Sequence, residues 1–257
     1  MAAPPPVYSK GEINRAGQGL RSIDRGLHGG DEVALTLLRK GRLDADLLLI
    51  DTWRSQHARP LVRVNAGLRH YIRKAGADGA QVSQRLKRLS TIVDKLSRQS
   101  NMELSRMEDI GGVRVILPQQ SYVDAVVESI ERARGWSVRR VRRYVEGGVP
   151  GPKDDGYRAV HVVVIKDGYH VEIQFRTPVQ DSWAQSVEQD TRRLGSALKF
   201  GGGPTELREY YKLVSEYFAL REQNLEAPQD LMEQLAKSYA ATSQYFAEGS
   251  SERRRLS

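Results

Sequence analysis

The chain has 257 residues, 39% hydrophobic and 28% charged, which suits an ordinary soluble chain forming one well-buried domain with extra helices, or at most two small domains. It has no cysteine, excluding disulfides, thiolate catalysis and cysteine-ligated zinc and suiting a reducing, cytoplasmic setting, while no apolar run of about 18 residues suggests a membrane span and MAAPPPVYSK lacks the apolar centre of a secretory signal. The formal charge of +8 favours phosphorylated partners such as nucleotides, RNA or DNA, although an arginine-rich composition alone would look the same.

Residues 1–7 carry three consecutive prolines and no periodicity, so they are expected to lack fixed structure. Ser9 to Leu27 places Ile13, Ala16, Leu20 and Ile23 at helical spacing. Gly30 or Asp31 could cap a further segment bearing Val33, Leu35, Leu37 and Leu38. Asp44–His57 reads as a helix interrupted by Pro60, and 61–75 as another. RLKRLSTIVDKL, from Arg85, reads as a basic helix with Leu86, Leu89, Val93 and Leu96 on one stripe.

The middle of the chain changes character. Val113–Leu117, Trp136–Val145, Ala159–Lys166 and His170–Arg176 are rich in β-branched residues and read as strands. Ser121–Arg134 lies between the first two with helical spacing, which suggests an α/β unit. Asp167-Gly168 predicts a tight hairpin, and VHVVVI at 160–165 is apolar on both faces, as an interior strand would be. Helical patterns return at Trp183–Leu198, from Thr205 with Tyr211, Leu213, Val214, Tyr217 and Leu220 inward, and from about Pro228 to Tyr245. Gly201-Gly202-Gly203-Pro204 marks a break, and the tail 250–257 is expected to be mobile.

Four segments could carry chemistry. In HVEIQFRT, Val171, Ile173 and Phe175 fall on one strand face, and His170, Glu172, Gln174 and Arg176 on the other. The plainer reading is a solvated sheet face. In KDDGYRAVH, Tyr157, Ala159 and His161 share a face behind a loop bearing Lys153, an arrangement suited to a base and its phosphates or, as plainly, to a buried tyrosine. MEDIGGVR puts Asp109 at a strand start and Arg114 within the strand. A carboxylate there suits Mg²⁺ when a second lies near, yet Ser105 and Glu108 also imitate a capping box. Arg85, Lys87, Arg88 and Lys95 form a basic cluster that could simply be solvated.

In this order and spacing the four segments resemble the synthetase domain of the RelA/SpoT family, whose blocks have the form R-x-K-x-x-x-S/T-x-x-x-K, D-I-x-G-x-R, K-x-x-G-Y-R-x-x-H and E-I-Q-x-R-T. Here these are Arg85–Lys95, Asp109–Arg114, Lys153–His161 and Glu172–Thr177. WRSQH at 53–57 and DSWAQSVE at 181–188 also look like small stand-alone members. The resemblance implies transfer of the β,γ-pyrophosphate of ATP to the 3′-hydroxyl of GDP or GTP, making the alarmones pppGpp and ppGpp. It implies that Arg85 and Arg114 sandwich the adenine and that Lys87, Thr91 and Lys95 hold the ATP phosphates. Asp109 and Glu172 would bind Mg²⁺, with Glu172 also taking the hydroxyl proton. Tyr157 would stack on the acceptor base, and Lys153, His161, Gln174 and Arg176 would line the acceptor and phosphate side.

The same resemblance implies an α+β domain with a mixed, mostly antiparallel sheet of about five strands flanked by helices, in which 81–88 is a strand rather than the helix the periodicity suggests. The expected division is 1–78 helical, 79–200 synthetase and 201–257 helical. None of the histidines (His28, His57, His70, His161, His170) precedes an aspartate, so a hydrolase domain is not expected. The flanking helices are expected to build a homo-oligomer. Three departures concern the acceptor: Arg143-Tyr144-Val145 where many members carry D-Y-I, six arginines and no acid between Arg132 and Arg143, and Asp181 where His or Asn is common. They keep a second reading open, pyrophosphorylation of the tRNA 3′ end by a toxin with a partner antitoxin, and a third, a catalytically inactive nucleotide- or RNA-binding regulator.

Overall fold

Five segments, two of them alternating apolar and polar residues along their length, pair into one mixed sheet whose apolar face is covered by helices. The structure, a computed structural model, describes residues 7–29, 41–194 and 202–253. The segment from Gly30 to Leu38, the end of the helix expected to reach Leu198, and the glycine at 201 fall outside these residues.

The strands are β1 (Gln81–Leu86), β2 (Gly111–Ile116), β3 (Ser137–Tyr144), β4 (Ala159–Lys166) and β5 (Tyr169–Arg176), in the order β1-β2-β5-β4-β3. Only β2 and β5 pair in parallel. The helices are α1 (Lys10–Gly29), α2 (Arg42–Ser55), α3 (Ala58–Lys74), α4 (Leu89–Arg98), α5 (Gln120–Arg132), α6 (Pro178–Arg193), α7 (Thr205–Glu222) and α8 (Gln229–Arg253). No described helix is long and apolar enough to cross a membrane.

The expected mixed, mostly antiparallel sheet flanked by helices is present. Val113, Val115, Val160, Val162, Val164, Val171, Ile173 and Phe175 form its packed face, against Leu61, Val64 and Leu68 of α3 and Val123, Val126, Val127 and Ile130 of α5. Burying each such side chain contributes roughly 1.5–3 kcal/mol. A second cluster joins α1, α2 and α4 through Ile13, Leu20, Ile50, Trp53, Ile92 and Leu96, and it also buries Met107 and Ile110. Those two residues flank Glu108-Asp109, so the turn that carries Asp109 is anchored on both sides.

Several boundaries differ from the periodic reading. Arg85 and Leu86 belong to β1, and the basic helix begins only at Leu89. Antiparallel pairing with β2 prevails over the local helical pattern, setting Arg85 opposite Gly112. Pro60 does not separate two helices: the break is at Gln56–His57, and Pro60 sits in the first turn of α3, where a missing N–H costs little. The Ser105–Glu108 sequence makes only a single 3-10 turn at Leu104–Arg106. The capping box is at Thr177, whose hydroxyl accepts from the Gln180 N–H while the Gln180 side chain accepts from the Thr177 N–H, and it starts α6 at Pro178 instead of Trp183. The inward stripe of α7 is Leu207, Tyr211, Ser215 and Ala219, rotated from the one expected. Helix α8 continues to Arg253, so the start of the expected mobile tail is helical.

Helix α7 packs where the loop enters β4. Gly156 has φ +87°, and a Cβ there would lie 3.1 Å from Lys212 Cα, 3.1 Å from Ser215 Cβ and 3.2 Å from Trp183 Cζ2. Gly151 has nearly the same φ, +88°, but a Cβ there would meet only the Gly148 carbonyl oxygen at 3.7 Å. Both alanine substitutions carry the left-handed backbone cost, and Gly156→Ala adds overpacking against α7. Urea denaturation should therefore show Gly156→Ala less stable than Gly151→Ala by about 1–3 kcal/mol. Equal losses would mean that α7 gives way without cost.

Candidate active site

Strand register gathers the polar residues on the face opposite the core. One row across the sheet reads Arg85, Gly112, Glu172 and Val163, and the next reads Ser83, Arg114, Gln174 and His161. The parallel β2–β5 pair is the centre of both rows. Two clefts open on this face, of about 1040 Å³ and 790 Å³ including space continuous with solvent. Arg85, Asp109, Glu172 and Gln174 line both. Lys87, Arg114 and Ser83 line only the smaller, and Lys153, Tyr157, His161, Arg176, Trp183, Arg208 and Tyr211 only the larger. Each is of a size that can hold a nucleotide.

At the junction, Asp109 accepts from Lys87 Nζ at 3.0 Å and from Lys95 Nζ at 3.0 Å. Glu172 accepts from His161 Nδ1 at 3.2 Å and from Gln174 Nε2 at 2.7 Å. Burial pushes the Glu172 carboxyl up, but the His161 hydrogen bond and charge, then Gln174 and Lys95, more than offset this and hold it at about 2. His161 Nε2 lies 2.6 Å from the Tyr157 hydroxyl, which also accepts from Arg176 at 3.1 Å. Donation from Nδ1 to Glu172 is compatible with either protonation state of the ring. The Tyr157 hydroxyl donates to Nε2 when the ring is neutral and accepts from it when charged.

Arg176 and Asp181 form a buried ion pair at 2.9 Å, each side chain 4% exposed. Arg114 approaches the same carboxylate at 3.4 Å, and Gln185 donates to it at 2.5 Å. Removing one partner of such a pair leaves a buried charge uncompensated, which typically costs about 3–5 kcal/mol. Asp181 therefore fixes two of the arginines on this face. Lys153 Nζ lies over the Tyr157 ring at 4.8 Å and over Tyr144 at 4.9 Å. A base stacking on that side of Tyr157 has to move this ammonium aside.

The geometry brings together eleven of the twelve side chains singled out in the sequence: Arg85, Lys87, Lys95, Asp109, Arg114, Lys153, Tyr157, His161, Glu172, Gln174 and Arg176. Lys95 joins through Asp109. Thr91 is exposed in the first turn of α4 and lines neither cleft. Trp183, Arg208 and Tyr211 were not singled out as site residues; the signal for Trp183 was its place in DSWAQSVE, whereas Arg208 and Tyr211 reach the cleft only through tertiary packing of α7. The Trp183 indole donates to the Tyr211 carbonyl at 2.7 Å, and the Tyr211 hydroxyl donates to Asp190 at 2.5 Å. In the arginine-rich stretch of edge strand β3 and its approach, Arg132 pairs with Glu128, Arg139 and Arg140 with Glu108, and Arg143 with Asp124 and Glu131.

A family model described as a region found in RelA / SpoT proteins matches residues 84–192. This chain carries a RelA/SpoT-family domain. That domain contains β1 from its fourth residue onward, the whole of the remaining sheet, and nearly all of α6. Uncharacterized protein Rv1366 of Mycobacterium tuberculosis is 28% identical over 130 residues, 49% of this chain and 45% of that one. Uncharacterized protein Mb1401 of Mycobacterium bovis matches to the same extent. The matched region thus spans about half the length of these curated relatives. Among solved structures, small alarmone synthetase 2 from Bacillus subtilis superposes with a TM-score of 0.55 at 22% identity, covering 64% of this chain and 89% of that one. Small alarmone synthetase 1 from Bacillus subtilis, bound to its product pppGpp, gives 0.55 at 21%, covering 65% and 89%. At these identities the likeness establishes the fold.

The acidity of Glu172 has a consequence for stability. Its ordinary value is 4.5 and its folded value about 2, so it favours the folded state above about pH 4.5 and loses that contribution as pH falls towards 2. The contribution is on the order of 3 kcal/mol. Urea midpoints of the wild type should fall more steeply across this interval than those of Glu172→Gln. Parallel curves would show that His161 and Gln174 do not hold the carboxylate as described.

Proposed function

We propose that the chain is an ATP-dependent pyrophosphokinase whose acceptor is a guanine nucleotide, with alarmone as product. The observation that carries this reading is the pair of clefts sharing Asp109 and Glu172. A group-transfer enzyme with two nucleotide substrates needs donor and acceptor on opposite sides of one reactive centre. The RelA/SpoT region and the fold shared with small alarmone synthetases support the choice of reaction.

In this reading ATP occupies the smaller cleft, with Arg85 and Arg114 about the adenine and Lys87 and Lys95 on the phosphates. The exposed Thr91 is assigned to the outer edge of the phosphate site. The acceptor occupies the larger cleft, its base on Tyr157 and its ribose towards Glu172, with Lys153, His161, Gln174 and Arg176 along that side. The acceptor 3′-oxygen attacks the β-phosphorus, the bond from that phosphorus to the α-phosphate oxygen breaks, and AMP leaves. Glu172 orients the hydroxyl and takes its proton. Its low pKa suits late proton transfer in a loose transition state better than early abstraction.

Asp109 and Glu172 are hard oxygen donors lining the same clefts, and the described residues hold no cluster of three His, Asp or Glu that could bind a metal unaided. This donor set fits Mg²⁺, which commonly takes one or two carboxylates with substrate phosphates. When bound there, the ion would neutralise charge on the phosphates. Lys87 and Lys95, now on Asp109, would be available to the same phosphates.

The test is transfer from γ-³²P-ATP with Mg²⁺, offering GDP, GTP, GMP and bulk tRNA separately. Label is expected on a guanine nucleotide, with Glu172→Gln reducing the rate by about 10²-fold or more while its melting curve stays cooperative. Label on tRNA alone would move the acceptor to the 3′ end of RNA, and label on nothing would favour a binding regulator. Near-wild-type turnover by Glu172→Gln would remove Glu172 from the chemistry.

A further inference from the structure

The cations around the clefts divide by whether a carboxylate already holds them. Lys87 and Lys95 share Asp109, and Arg114 and Arg176 share Asp181. Arg208 lines only the larger cleft and belongs to the second group. Among the described residues no carboxylate pairs with it; its one side-chain hydrogen bond is from Nη2 to the Thr205 hydroxyl at 3.1 Å, and its Nε is buried without a partner. Such an unsatisfied buried donor is costly, and it marks a place where an acceptor is missing.

Helix α7 holds Arg208 firmly. Leu207 and Tyr211, on either side of it, are buried against Trp183, Ala184 and Val187, and Gly156 abuts the same helix. At the far end of α7, Glu222 accepts from Arg158 and from the Thr177 hydroxyl. Arg208 lies beyond residues 84–192, outside the matched RelA/SpoT region.

We propose that Arg208 binds a 5′-phosphate of the acceptor nucleotide, forming with Lys153 an anion subsite in the larger cleft. This rests on the functional reading above. In that reading the attacking hydroxyl lies at the carboxylate junction, so the acceptor's own phosphates must lie elsewhere in the same cleft. Of the cations confined to that cleft, Arg176 is neutralised by Asp181, whereas among the described residues Lys153 and Arg208 have no carboxylate partner. Of the other acids there, Asp155 is turned to the backbone, accepting from the Tyr157 N–H at 2.9 Å, and the charge of Glu188 acts on Arg114. A guanidinium can give a phosphate two parallel hydrogen bonds, so lysine at this position restores charge without the paired geometry.

The experiment compares GDP and guanosine as acceptors for wild type, Arg208→Ala and Arg208→Lys, at saturating ATP and Mg²⁺. Loss of a charge-assisted contact should raise the KM for GDP about 10- to 100-fold in Arg208→Ala, with kcat changed less than about 3-fold. The KM for ATP and the KM for guanosine should stay within about 2-fold, and Arg208→Lys should recover part of the loss. A GDP KM within about 2-fold of wild type, or an equal rise for guanosine, would overturn the subsite. If the wild type transfers to no guanine nucleotide, the functional reading fails separately, and GDP titration by calorimetry still decides the subsite. Binding weakened by Arg208→Ala would support it; equal binding, or none to the wild type, would overturn it.

Discussion

The parallel pairing of β2 with β5 is the constraint on which the site depends. It lays Gly112 beside Glu172 and Arg114 beside Gln174, residues about sixty positions apart in the chain. The same register sends Val113, Val115, Ile173 and Phe175 to the packed face. A slip of one residue would exchange the faces, placing Glu172 among valines and Ile173 in the clefts. Burying an unpaired carboxylate costs several kcal/mol, and exposing the apolar row costs a similar amount again. Core packing and site geometry are therefore set by one choice of register, and the core enforces it.

Electrostatics then organises what the register assembles. Asp109 holds two lysines and Asp181 two arginines, while Glu172 is held by His161 of the neighbouring strand β4 and by Gln174 of its own strand. Asp109 and its lysines are partly exposed, so solvent and phosphates can compete for them. Asp181 and Arg176 are closed off, and their pairing is worth more as a positioning device than as a source of net stability. The two acids beside cations thus differ by environment: one is placed to release its partners and the other to retain them. Helix α7 completes the wall of the larger cleft through contacts that begin at Gly156 and Trp183.

Four of the five strands were legible: β2 and β5 alternate, β4 is apolar on both faces, and β3 carries the β-branched Val138 and Val141 although a register shift between Val138 and Arg140 breaks its alternation. The Asp167-Gly168 turn followed from its residues and takes left-handed values at both positions, φ 52° and 82°. The division of β5 into Val171, Ile173 and Phe175 against Glu172 and Gln174 was likewise written in period two. Arg85 and Leu86 were misread as helix because leucines at helical spacing continue through them into α4, and only pairing with β2 reveals the strand. The start of α6 was missed although Thr177 and Gln180 stand at capping-box spacing. Asp181 was visible as a departure, but its two arginines were not, since Arg114 reaches it only in three dimensions. Arg208 offered no local signal at all: it looks like any exposed arginine in the first turn of a helix until α7 packs against α6.

The proposed function requires the two clefts to hold two nucleotides at once across a shared carboxylate pair. Its most direct test is calorimetric titration of GDP into protein saturated with Mg²⁺ and a non-hydrolysable ATP analogue. GDP is expected to bind the saturated protein, and Tyr157→Ala to weaken GDP while leaving the analogue's affinity within about 2-fold. Displacement of the analogue by GDP, with one stoichiometric site in total, would contradict it.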